Sequence, residues 1–152
     1  MESPSKQVES FIRKFDPAVA KLARAVRRAM RARFPTAVEL VYDNYNALAI
    51  GFGSTERVSD VIVSVAVYAR GVNLYFMHGR SLPDPDKLLQ GTGRQGAFIR
   101  VNDLSVFNDP AVDTLLKEAT KHARTALSKS GRGYTVVKSI SAKQRPRRSA
   151  NG

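Results

Sequence analysis

The chain of 152 residues carries 25 Lys and Arg against 13 Asp and Glu, a formal net charge of +12, with 43% hydrophobic residues and no Cys. That length supports one domain with a core, and the missing thiols exclude a disulfide framework, a thiolate metal site and a cysteine nucleophile. Its apolar runs fall short of the ~20 residues that span a bilayer, and MESPSKQVES lacks the basic-then-apolar pattern of a secretory signal, so a cytoplasmic setting with no membrane association is expected.

The charge is unevenly placed. Residues 1–33 hold nine Lys/Arg and three Asp/Glu, residues 34–120 seven and ten, and residues 121–152 nine and none. The middle is mildly acidic and both flanks are strongly basic. Basic flanks of this kind fit a polyanion partner, a solvated helix face or a disordered tail equally well.

VESFIRKF reads as a short helix, separated from the next by Pro17, with Phe11, Ile12 and Phe15 covering the core edge. Asp16-Pro17, an N-cap followed by Pro at the first helical position, opens a helix expected over Pro17 to Arg33. At 100° per residue, Val19, Leu22, Ala23, Val26, Ala29 and Met30 share one arc, and Lys21, Arg24, Arg27, Arg28 and Arg31 are assigned to the opposite one. After Thr36 the period shortens: AVELVY, NALAIGFG, DVIVSVAVYAR and GVNLYFMHG read as antiparallel strands, with a tight hairpin at Arg70-Gly71. Both faces of DVIVSVAVYAR are apolar, which makes it a central strand covered by helices on at least one side. SLPDPDKLL reads as turns with room for one helical turn at DKLLQ, and AFIRV is the last of about five strands. Asp109-Pro110 opens a final helix with the stripe Val112, Leu115, Leu116, Ala119, Ala123, Ala126 and Leu127. YTVVKSI offers a further short strand, and residues 138–152, basic and without an acid or an aromatic, read as a disordered tail after a single domain of residues 1–137. Helix, antiparallel strands, helix is an α+β pattern.

GTGRQG, Gly91 to Gly96, matches G-x-G-x-x-G, but a dinucleotide fingerprint leaves a strand and opens a helix, whereas here a strand follows. The glycines therefore read as a turn with Arg94 exposed. The two histidines, His78 and His122, have no partner at metal-ligand spacing, Asp84-Pro85-Asp86 reads as turn chemistry, and no nucleophile elbow is present. No catalytic residue, metal site or cofactor is assigned. Tyr42, Asn44, Tyr45, Tyr75, His78 and Arg94 form the candidate ligand site, since tyrosines at strand ends can line a concave pocket. Lys21, Arg24, Arg27, Arg28 and Arg31, with Arg145, Arg147 and Arg148 of the tail, form the candidate nucleic-acid surface, although no recognition motif accompanies them.

The run SLPDPDKLLQGTGRQGAFIRV behind GVNLYFMHG resembles the YdhG-like family, a bacterial domain family of unknown function, and FIRKFDPAVAKLARAVRRAMRARFPTAVELVYDNYNALAIGF is similar to that family's opening. The resemblance spans about residues 8–128 and is most specific from Leu82 to Val101. It implies an antiparallel sheet backed by helices and brings no catalytic residues. Some members are described as frataxin-like iron chaperones, a role that would use acidic surface carboxylates, where this chain has an Arg-lined helix. The expectation is a non-catalytic binding module for a small anionic ligand or a protein partner. Two alternatives are a nucleic-acid-associated basic protein and an intracellular iron chaperone.

Overall fold

The computed structural model describes residues 2–149. Three α-helices, α1 (Pro4–Ile12), α2 (Pro17–Arg33) and α3 (Pro110–Lys121), and six strands make an α+β fold. The strands are β1 (Val38–Asp43), β2 (Leu48–Gly53), β3 (Val61–Tyr68), β4 (Gly71–Phe76), β5 (Ala97–Val101) and β6 (Thr135–Ile140). Among the described residues, no helix is long and apolar enough to cross a membrane.

Each helix begins at a proline whose missing N–H costs nothing in the first turn. Ser3 and Asp109 cap α1 and α3 by accepting from the backbone N–H of Lys6 and Ala111. Asp16 precedes α2 but makes no side-chain cap; its carboxylate instead accepts from Ser149 N at 3.1 Å.

The sheet order is β5-β4-β3-β2-β1-β6. Neighbours pair antiparallel except β1 and β6, which run parallel, so the sheet is mixed. The expected antiparallel architecture of about five strands therefore gains a sixth. After α3 the chain returns to the free edge of β1 and runs in its direction, with β6 built from Thr135–Ile140.

One face of the sheet, bearing Val41, Leu48, Ile50, Val63, Val65, Val67, Leu74 and Ile99, forms a single apolar cluster with Ile12, Val26, Met30 and Leu116 of the helices. Among the described residues, no helix contributes to the core on the other face. It holds a smaller cluster of Val38, Leu40 and Val61, onto which Tyr42, Met77 and Val136 pack. Strand alternation explains the division, because residues two apart share a face and the pairing register carries each face across the sheet.

The chain beyond Lys138 differs from expectation. β6 continues through Ile140, and residues 141–149 cross the end of β1 toward the α1–α2 connection. Their anchor is Arg147, only 7% exposed, whose guanidinium donates to Asp43 Oδ1 at 2.9 Å and to Asn44 O at 2.6 Å while lying 5.5 Å from the Phe15 ring. Lys14 Nζ meets the second oxygen of Asp43 at 2.7 Å. A buried carboxylate and an aromatic ring thus order a segment that its composition marks as solvated, up to Ser149; residues 150–152 lie outside the described residues. Two smaller departures follow the same logic. Helix α3 ends at Lys121, before the stripe residues Ala123, Ala126 and Leu127. DKLLQ forms no helical turn: Asp84 accepts from the N–H of Leu88 and Leu89, both at 2.9 Å, and holds it open.

Burial alone would raise the pKa of Asp43, but hydrogen bonds from Lys14, Gln144 and Arg147, with the Lys14 charge, hold it below the ordinary aspartate value. Its contribution to stability is therefore complete above pH ~4 and is lost as pH falls through the depressed folded value. Asp43→Asn is expected to cost about 3 kcal/mol at pH 7, because it leaves Arg147 buried without its counter-charge. In urea melts at several pH values, the gap between wild type and variant should close on acidification below pH ~4.

Candidate functional site

The glycine loop serves the sheet edge. Gln90 pairs with Phe98 through two backbone hydrogen bonds of 2.8 and 3.0 Å, so the loop joins a bridge residue to β5 and opens no helix. Gly91 has φ of +112°, and a Cβ on Gly96 would stand 1.8 Å from Tyr75 Oη. These two glycines answer a backbone conformation and a tyrosine ring laid against the main chain. Arg94 is exposed, and among the described residues its side chain makes no hydrogen bond or ion pair.

The six residues of the expected aromatic site are not brought together. Tyr42 and Tyr75 share the helix-free face, but three strand spacings of ~4.8 Å separate their strands. Asn44 and Tyr45 sit in the β1–β2 turn at one end of the sheet. Tyr75 lies under the glycine loop, and His78 follows β4 and enters a short 3-10 turn. Between Tyr42 and Tyr75 the surface is floored by Ala49, Gly51, Ser64 and Ala66.

The arginine row of α2 sorts into three kinds. Arg27 is buried at 8% exposure and binds Glu39 in a two-point pair, both contacts at 2.8 Å, while Glu39 also accepts from Thr135 Oγ1 at 2.7 Å. Arg24 is half-exposed and pairs with Glu9 of α1. Lys21, Arg28 and Arg31 are exposed and form no ion pair with any carboxylate among the described residues. The outward placement expected of Arg27 is thus corrected. It stands four residues after Ala23 and three before Met30, at the border of the apolar stripe, where it meets Glu39 on the helix-facing side of β1.

Between α1 and α2 these side chains enclose an open cleft of about 440 Å³, lined by Glu9, Arg24, Arg27, Arg28 and Arg31. Ser5 of α1 accepts from Arg27 at 3.1 Å and from Arg31 at 3.4 Å, which tilts both guanidinium groups toward it. Arg31 also lines an adjoining cleft of about 250 Å³ that contains Arg132, Tyr134 and Thr135. Four arginines line the cleft, two of them paired with carboxylates, Arg24 with Glu9 and Arg27 with Glu39. Arg132 gave no signal in the sequence, because only the β6 pairing brings it to α2.

The tail cations divide similarly. Arg147 is buried and its charge is paired with Asp43, although its Nε finds no hydrogen-bond partner among the described residues, so it is removed from the nucleic-acid surface. Arg148 donates to the carbonyls of Lys14 and Arg13, and Arg145 lies 5.7 Å from the Tyr45 ring with its backbone N–H on Tyr45 O. The mobile polybasic arm expected from composition is, through Ser149, a strap seated on the fold.

His78 and His122 line one narrow cleft with Asp60 and Phe76, a convergence that their sequence separation hid. Asp60 is held below the ordinary carboxylate value mainly by hydrogen bonding from Thr55 (2.6 Å), helped by Thr125 and Arg57, against the opposing effect of burial. His122 lies 3.2 Å from Glu118. Among the described residues no group of three or more His, Asp or Glu is placed to hold a metal.

Gly91→Ala is expected to lose about 1 to 2 kcal/mol, since an L side chain at positive φ is strained. Arg94→Ala should stay within about 0.5 kcal/mol of wild type. Paired thermal melts check both; equal losses would contradict a backbone role for the loop.

Compared with family models, with curated proteins and with solved structures, the chain matches none of them.

Proposed function

We propose that the protein is a non-catalytic binding module for a small anionic ligand, seated in the arginine cleft between α1 and α2. The observation that supports this reading is the charge imbalance in a shaped cleft. Arg24 and Arg27 each have a carboxylate, while Arg28 and Arg31 have none among the described residues and line the same space.

The pairings do more than neutralise. Glu39 and Ser5 fix the Arg27 guanidinium, so part of the cleft is ordered before a ligand arrives, which lowers the entropic cost of binding. The cleft volume of about 440 Å³ falls in the usual range for small-molecule sites. A phosphate or carboxylate group would take charge-assisted, two-point hydrogen bonds from Arg28 and Arg31. The likeness of Leu82–Val101 to the YdhG-like family accords with a binding role, since that family brings no catalytic set. Iron handling finds no group of carboxylates to support it among the described residues.

Titration calorimetry with pyrophosphate at low salt tests the reading. Binding is expected, and Arg28→Gln/Arg31→Gln should weaken it at least ~10-fold, because each hydrogen bond to a charged group is worth about 1.5 to 3 kcal/mol. Both residues are exposed, so the melting temperature should hold. No heat with pyrophosphate, or equal affinity in the double variant, would overturn the assignment.

A further inference from the structure

A second cation-bearing site lies at the end of the sheet where the β1–β2 and β3–β4 turns meet the C-terminal strap. Asn46, Tyr68, Ala69, Arg70, Arg145 and Pro146 line an open groove of about 510 Å³. No carboxylate among the described residues lines it. We propose that this groove holds an unpaired nucleotide of a single-stranded nucleic acid, a site and ligand distinct from the arginine cleft of α2.

The geometry of rings and guanidinium groups carries the inference. Arg70 lies over the Tyr68 ring at 5.1 Å and Arg145 over the exposed Tyr45 ring at 5.7 Å. Tyr68 and Arg70 thus line the groove as one ring-and-cation pair, and Arg145, which also lines it, is backed by Tyr45, the residue before Asn46. An aromatic ring or a guanidinium plane stacks on the face of any unpaired base, and the cation answers the adjoining phosphate. A duplex keeps its base faces covered, so this arrangement favours a single strand.

The polar groups complete the match. Asn46 brings a side-chain amide to the groove, able to donate and to accept along a base edge. The groove is also set in place before binding. Arg145 N donates to Tyr45 O at 2.8 Å, and Arg147, two residues on, is locked to the buried Asp43. The strap thus places Arg145 without freezing its guanidinium in an ion pair, since neither Arg70 nor Arg145 pairs with a carboxylate among the described residues.

Fluorescence anisotropy with a labelled single-stranded oligo(dT), the matching duplex and free thymidine monophosphate tests the proposal. The strand should bind with an affinity that falls steeply with salt, at least ~10-fold more tightly than either the duplex or the mononucleotide. Tyr45→Ala should weaken it at least ~5-fold, and so should Arg145→Lys, which keeps the charge but loses the planar group. Tyr45 is half-exposed, so that variant should fold as wild type. Arg28→Gln/Arg31→Gln should leave strand binding unchanged, which separates this site from the cleft of α2. Equal affinity for the duplex, for the mononucleotide, or for the Tyr45 and Arg145 variants would overturn the proposal, as would loss of strand binding in the α2 double variant.

Discussion

Strand β1 carries a buried carboxylate near each end, Glu39 and Asp43, both on its helix-facing side. A lone carboxylate there would be costly to desolvate, so each has to be met by a cation within hydrogen-bonding distance. Arg27 of α2 meets the first, and Lys14 with Arg147 meets the second. These pairs span the molecule: one joins the long helix to the sheet with Thr135 of β6 in the same network, and the other joins the α1–α2 connection to the strap. The parallel seating of β6 and the path of the chain after it both depend on them.

The uneven charge of the sequence takes its meaning from this constraint. The basic flanks face an acidic middle, and part of their excess is held as counter-charge to β1. What is left over defines the candidate sites. On α2, subtracting the pairs with Glu9 and Glu39 leaves Arg28 and Arg31 beside the cleft; on the strap, subtracting Arg147 leaves Arg145 beside the tyrosine-bordered groove. A bare charge count treats all these arginines alike, whereas burial makes Arg27 and Arg147 structural and leaves their neighbours available.

The legible parts of the fold were those with local causes. Pro17–Arg33 follows from an Asp-Pro start and a 3.6-residue stripe, and the β1 to β5 meander follows from alternation and turn residues. The same is true of the glycine loop, whose flanks already placed a strand after it. What escaped were contacts made across the chain. Thr135 reaches Glu39 over 96 residues and Arg147 reaches Asp43 over 104, and no window of sequence shows that these groups are partners. The aromatic cluster failed for a related reason. Alternation places Tyr42 and Tyr75 on one face, but strand order, a tertiary fact, sets two strands of small residues between them. Tyr45 and Arg145 were both candidates in the sequence, for different ligands, but that they meet at 5.7 Å required the strap to be in place.

The two candidate sites also differ in how their cations are prepared, and this bears on selectivity. In the α2 cleft, Arg27 is immobilised by Glu39 and shares Ser5 with Arg31, an arrangement suited to a compact anion. At the sheet end, guanidinium groups lie on rings and the floor is an open groove, which favours a flat partner with charge at its edge. Placing the sites on different supports, a helix pair in one case and two turns with a strap in the other, allows each to change its ligand preference without disturbing the other. Asp43 is the exception: it positions Arg145 through Arg147 and also holds Lys14 at the end of α1, so a change at this one buried carboxylate would reach both the strap and the helix that borders the cleft.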